Sequence, residues 1–160
     1  MRHKIYCRHI AGLDVRLNIS TIRCAVRAAL CAEHVNTPCE TFVLIVNDAY
    51  IREFNRKYRG VDSATDVLSF PLHELTPGHF EPPPLNLESN NGLLPLGDIV
   101  VSSERVAAQA RELRHTLRHE TAYLIVHSVL HLLGYDHVDE AGGKRLMREK
   151  EKEIMSEIDA

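Results

Sequence analysis

Thr41-Phe42-Val43-Leu44-Ile45-Val46-Asn47-Asp48-Ala49-Tyr50-Ile51-Arg52-Glu53-Phe54-Asn55-Arg56-Lys57-Tyr58-Arg59-Gly60 sets the class of this chain. Its first six residues are an apolar run rich in β-branched side chains, the pattern of a well-buried strand. Asn47-Asp48 stops that run and supplies capping side chains for a helix. Ile51, Phe54 and Tyr58 recur at helical spacing and are predicted to face inward. On the same helix Arg52, Arg56 and Arg59 form a second, basic stripe at i, i+4 and i+7. Gly60 ends it, as a residue free to adopt the left-handed conformation. A strand running straight into an amphipathic helix points to a sheet with helices packed on it.

The flanking sequence extends that pattern in both directions. Residues 3–9 alternate enough for a first strand, and Ser20 is a plausible N-cap for a helix carrying Ile22, Val26, Ala29 and Leu30. Asp66-Val67-Leu68-Ser69-Phe70 reads as a short strand stopped by Pro71. Residues 71–96 hold six of the seven prolines, and a loop that long is expected to be functional or disordered. Residues 97–102 form another strand. Ser102 or Ser103 caps a helix with the inner stripe Val106, Ala110, Leu113 and Leu117. Ala122, Val126, Val129, Leu130 and Leu133 define the next helix, with Gly134 as its stop. Asp139 is predicted to start a final charged helix carrying Leu146, Met147, Ile154 and Ile158. These elements predict one α+β domain over residues 1–160, a small mixed β-sheet packed against several helices.

Composition narrows the function. A chain of 160 residues can bury a core without a disulfide or metal staple, so a metal site here would be functional. The formal net charge of -3 does not mark a nucleic-acid binder, and any RNA contact must come from a local basic patch. Cys7, Cys24, Cys31 and Cys39 form no C-x-x-C pair. Cys24 and Cys31, seven apart, are expected to be buried free thiols on one helix face. With no signal-peptide pattern and no run of ~18 apolar residues, the expected compartment is the cytoplasm.

The chemistry concentrates in His127-Ser128-Val129-Leu130-His131-Leu132-Leu133-Gly134-Tyr135-Asp136-His137. Residues four apart share one helix face, so His127 and His131 can offer two imidazoles to one ion. Gly134 lets the chain turn, and His137 can return as a third ligand. Three neutral imidazoles with an open fourth position describe a catalytic zinc site, although nickel and copper also suit such ligands. With one residue in sixteen a histidine, chance would produce this triple somewhere in the chain roughly 4% of the time, and well below ~1% with the glycine. The spacing is that of the metzincin zinc motif, H-E-x-x-H-x-x-G-x-x-H. Ser128 stands where that motif places its general base, and serine cannot take a proton from water at neutral pH. The metal cradle is kept while the base is absent, which argues against a peptidase.

The chain resembles the YbeY family of bacterial endoribonucleases. Residues 127–137 are similar to the family's H-G-x-L-H-L-x-G-Y-D-H signature, with Ser128 in place of the usual glycine. The resemblance continues through Asn55-x-x-Tyr58-Arg59, Thr65-Asp66-Val67-Leu68-Ser69-Phe70-Pro71 and Leu96-Gly97-Asp98-Ile99, covering nearly all of 40–158, while the first forty residues match weakly. It implies a single α+β domain binding one zinc ion per chain, with nickel as an alternative, through His127, His131 and His137. It also implies a single-strand-specific, metal-dependent endoribonuclease, with Arg59 and His127 as catalytic residues. The implied role is maturation of the 3′ end of small-subunit ribosomal RNA and ribosome quality control, with ribosomal RNA and ribosomal particles as partners. Two features depart from the family: Val61 replaces a basic residue of some members, and the proline-rich loop is longer.

The residues suit that chemistry independently. Arg59 can pair bidentately with phosphate and stabilise developing charge, and the Arg52, Arg56, Arg59 stripe could track an RNA backbone. Asp98 and Asp136 are candidates to orient a ligand histidine, or simply to cap turns. Two other classes fit the same motifs. One is a metal-dependent hydrolase of a small ester, amide or peptide; the other is a non-catalytic ribosome-assembly factor.

Overall fold

The computed structural model describes residues 2–136 and 142–159. In chain order these contain β1 (Lys4–His9), α1 (Ile19–Ala32), β2 (Cys39–Val46), α2 (Asp48–Arg59), β3 (Val67–Pro71), a 3-10 turn (Glu88–Asn90), β4 (Leu94–Ser102), α3 (Ser103–Leu113), α4 (Leu117–Leu132) and α5 (Gly143–Asp159). The strands make one mixed sheet ordered β1-β2-β4-β3; β1, β2 and β4 run parallel, and β3 closes the edge antiparallel to β4. This is the predicted α+β domain with a small mixed sheet.

One sheet face carries α1, α4 and α5 over the main core, in which Ile22, Leu30, Ile45, Leu94, Ile99, Ile125 and Leu130 are fully buried. Each such side chain contributes ~1.5–3 kcal/mol relative to exposure. The other face holds a smaller cluster, where Ile51 of α2 meets Val46, Leu68 and Val100. α4 lies at the centre, with buried residues around most of its circumference, because α1, α3, α5 and the sheet all pack on it. No helix among the described residues is long and apolar enough to cross a membrane.

Helix ends follow the capping chemistry, with corrections. Asn47 accepts from the Tyr50 amide, and Gly60 closes α2 at φ 70°. Ser102 caps α3 through the Arg105 amide. For α1, however, the cap is Asn18, which accepts from the Thr21 amide, and the expected Ser20 lies inside the first turn. α3 stops at Leu113 because Arg114 adopts a left-handed conformation, φ 55°. Leu113 is consequently exposed, and Leu117 opens α4 instead of continuing the stripe.

Three inward assignments also change. Tyr58 is 55% exposed: its ring lies against Phe54 and Phe70 on a sheet face that α2 covers only in part, and only Ile51 and Asn55 of the helix are buried. Cys24 and Cys31 are exposed, opposite the stripe of Ile22, Ala25, Val26 and Ala29. Cys39 alone is a buried thiol, and burial pushes its pKa up to about 12. Phe42 is half exposed and stacks on Tyr6 at 4.8 Å, so the 41–46 run is not covered on both faces.

The proline-rich segment is ordered and shorter than predicted, since β3 includes Pro71 and β4 begins at Leu94. Leu75, Phe80 and Leu87 pack against the main core. Asp139, the expected start of the last helix, lies outside the described residues, and α5 is described from Gly143.

Candidate metal centre

α4 presents His127 and His131 one turn apart, with their Nε2 atoms 3.1 Å from each other and the rings nearly perpendicular. The remaining ring nitrogens are held by acceptors. His131 Nδ1 lies 2.8 Å from the Tyr135 main-chain carbonyl, and His127 Nδ1 lies 3.2 Å from Glu151 Oε2. A carbonyl accepts only, so His131 Nδ1–H is the donor; the Glu151 carboxylate imposes the same tautomer on His127. Each neutral ring then turns a lone pair, not a proton, toward the other at Nε2. Two acceptors converging at 3.1 Å repel each other unless an electrophile, a proton or a cation, lies between them. Two nitrogens bound tetrahedrally to one zinc ion stand ~3.3 Å apart, so the pair fits such an ion with little adjustment.

His137, the predicted third ligand, lies outside the described residues, as do residues 138–141. Among the described residues no group of three or more His, Cys, Asp or Glu is arranged to hold a metal. The described part of the candidate centre is therefore a pair of imidazoles and the groups that orient them.

The pair lines a cleft of about 560 Å³, which also receives Arg59, Thr65, Asp66, Ser69, His73 and Asp136. Its far wall is built by the turn from α2 into β3, which buried Asn55 secures by donating to the Ser63 carbonyl at 2.9 Å. Arg59 sits at the last position of α2, just before the Gly60 turn, where it points into the cleft mouth. The other two arginines of the stripe are engaged elsewhere: Arg52 pairs with Asp62 at 2.8 Å and Arg56 with Glu53 at 2.7 Å. Neither lines the cleft, and Arg59 has no carboxylate partner among the described residues.

Gly134 joins the centre to the proline-rich segment. Its φ is 101°, and a Cβ there would fall 2.0 Å from the Leu75 carbonyl oxygen. Only glycine lets that segment lie against the end of α4, which brings His73, Glu74 and Leu75 into the cleft wall.

The two aspartates separate. Asp136 lines the cleft, whereas Asp98 is on the opposite sheet face, in register with Phe42 and Phe70, and cannot orient either histidine. Ser128 is wholly buried in the core, away from the cleft, and its hydroxyl has no hydrogen-bond partner among the described residues. The position after the first histidine thus offers nothing to a bound substrate.

Glu151 was not anticipated from sequence. It is only 5% exposed, and it lies near Tyr123, whose pKa is pushed up by burial first and then by the Glu151 charge. A signal existed: Met147, Glu151, Ile154 and Ile158 fall at i, i+4, i+7 and i+11, placing a carboxylate on the apolar stripe of α5. Tyr135 is held in place, its hydroxyl donating to buried Glu33, which Lys150 also approaches at 3.6 Å.

The chain is similar to known proteins over most of its length. The family model described as Endoribonuclease YbeY matches residues 11–159, so the match reaches well into the first forty residues. Endoribonuclease YbeY of Clostridium kluyveri is 46% identical over 142 residues, covering 85% of this chain and 84% of the relative. That of Caldicellulosiruptor bescii is 48% identical over 119 residues, covering 74% and 73%. The solution structure of TM1509 from Thermotoga maritima matches with a TM-score of 0.60 at 26% identity, covering 96% of this chain and 88% of that one. With the whole fold from α1 to α5 inside the match, the chain belongs to the YbeY endoribonuclease family.

Proposed function

We propose that this chain is a metal-dependent endoribonuclease that hydrolyses phosphodiester bonds in single-stranded ribosomal RNA, with His127, His131 and His137 as ligands of one zinc ion. The observation that carries the metal is the approach of two Nε2 atoms to 3.1 Å, with each ring's other nitrogen beside an oxygen acceptor. Family membership supports the RNA substrate and the hydrolytic chemistry. A zinc ion in such a site supplies Lewis-acid stabilisation to a phosphoryl oxygen.

The chain's own residues do the rest. Arg59, across the cleft from the histidines, grips a phosphate with its planar fork and meets charge as it develops on the phosphoryl oxygens. Asp66 is already committed, accepting from the Val67 amide and from Gln109, so it shapes the wall instead of serving as a base. Substrates in this reading are the 3′ end of small-subunit ribosomal RNA and defective ribosomal particles in the cytoplasm. Burial of Ser128 weighs against a peptidase.

The test joins elemental analysis of the purified protein to cleavage of single-stranded ribosomal RNA fragments, with and without chelator. One equivalent of zinc and chelator-sensitive internal cleavage are expected. Full metal content in a variant lacking all three histidines would overturn the ligand assignment, and chelator-resistant cleavage would overturn the metal's role.

A further inference from the structure

The two imidazoles are oriented by unlike means. His131 is held by the main-chain carbonyl of Tyr135, which no side-chain substitution removes. His127 is held by a side chain from a different helix, 24 residues away. We propose that Glu151 is the positioning residue of His127: it keeps the imidazole proton on Nδ1 and so aims the Nε2 lone pair at the space shared with His131. Its effect on metal binding rests on the reading above, whereas its effect on the ring's tautomer does not.

The surroundings of Glu151 support a specific role. It lies on the buried stripe of α5 between Met147 and Ile154, where an apolar side chain would fill the α4–α5 interface at lower cost. A buried carboxylate needs a hydrogen-bond partner there, and His127 Nδ1 supplies one at 3.2 Å. Tyr123 lies against the His127 ring, 6.4 Å between centroids and 29° apart in plane. The ring is thus confined in both rotation and tautomer. A proton held on Nδ1 leaves Nε2 as the ligating nitrogen, whereas an Nε2–H imidazole cannot ligate through Nε2.

The test compares Glu151→Met, which keeps volume and restores an apolar stripe, with Glu151→Gln, which keeps an acceptor oxygen. Imidazole nitrogen–proton correlation spectra of metal-free, 15N-labelled protein, recorded at about pH 8 where histidines are neutral, report the tautomer. Competition against a chromogenic chelator reports zinc affinity. Wild-type His127 is expected in the Nδ1–H form. Glu151→Met should populate the Nε2–H form and weaken zinc binding about 10- to 100-fold. Glu151→Gln should keep the Nδ1–H form and lose less affinity. An unchanged tautomer in Glu151→Met overturns the proposal, and so do equal affinity losses in the two variants, which would mark a packing role. Absence of zinc binding by the wild-type protein would overturn the metal reading alone, since the tautomer comparison still decides the role of Glu151.

Discussion

Gly134→Ala should destabilise this fold far more than Gly60→Ala, although both glycines have positive φ. At Gly60 the φ is 70° and a new Cβ would meet nothing within 4 Å, so the substitution pays only for a left-handed alanine, about 1–2 kcal/mol. At Gly134 the φ is 101°, and the Cβ would fall 2.0 Å from the oxygen and 2.7 Å from the carbon of the Leu75 carbonyl. Main chain cannot rotate away as a side chain can, so residues around Leu75 must move and give up part of their packing on the core. Adding an overpacking cost of about 1–3 kcal/mol brings the total to about 2–5 kcal/mol. For a chain of this length that corresponds to a melting temperature lower by about 10 °C, against about 3–6 °C for Gly60→Ala. Calorimetric melts in chelator exclude any contribution from bound metal. Equal losses in the two variants would refute the claim that the close approach of Leu75, not backbone conformation, makes glycine necessary at 134.

Three further outcomes are expected. Arg59→Ala should slow single-turnover cleavage of saturating RNA roughly 100- to 1,000-fold with little loss of binding, and Arg59→Lys should rescue poorly because it lacks the planar fork; a wild-type rate would reduce Arg59 to a surface charge. Ser128→Ala should be neutral or slightly stabilising in denaturant titrations, because the buried hydroxyl has no partner among the described residues, whereas Ser128→Glu should destabilise by several kcal/mol and create no peptidase; a stable, peptide-cleaving Ser128→Glu protein would contradict both points. His3 has its pKa lowered, by burial first and then by the N-terminal charge and Arg27, and its Nδ1 accepts from the Cys39 amide at 3.0 Å, so the folded state favours the neutral ring. Its contribution is therefore present above the unfolded pKa of ~6.5 and is lost as pH falls through the lower folded value; His3→Gln should flatten the stability–pH curve in that window, and an unchanged slope would refute the assignment.

Much of this protein was legible in its sequence because much of it is local. The 41–46 strand, the caps at Asn47 and Gly60, and the pairing of His127 with His131 all depend on groups within about a turn of each other, and helical periodicity alone brings the two imidazoles together. Local rules failed where two local choices were nearly equivalent. Asn18 and Ser20 are both good caps, and nothing short of the start of the helix decides between them. The left-handed turn at Arg114 carries no glycine to announce it, so one helix was read into the start of the next. Other features came only from tertiary structure, because they join distant parts of the chain. Periodicity could not say that the sheet face beneath Tyr58 stays partly open or that Asp98 is on the far side of the sheet from His127, whereas the exposure of Cys24 and Cys31 was readable, since both lie opposite the stripe of Ile22, Val26 and Ala29. Nor could it join Arg59 and the histidines across one cleft, since that depends on how the α2–β3 turn and α4 pack. Glu151 shows the division most clearly. Its place on the apolar stripe of α5 was readable, but the imidazole it meets 24 residues away exists for it only once α5 has packed on α4.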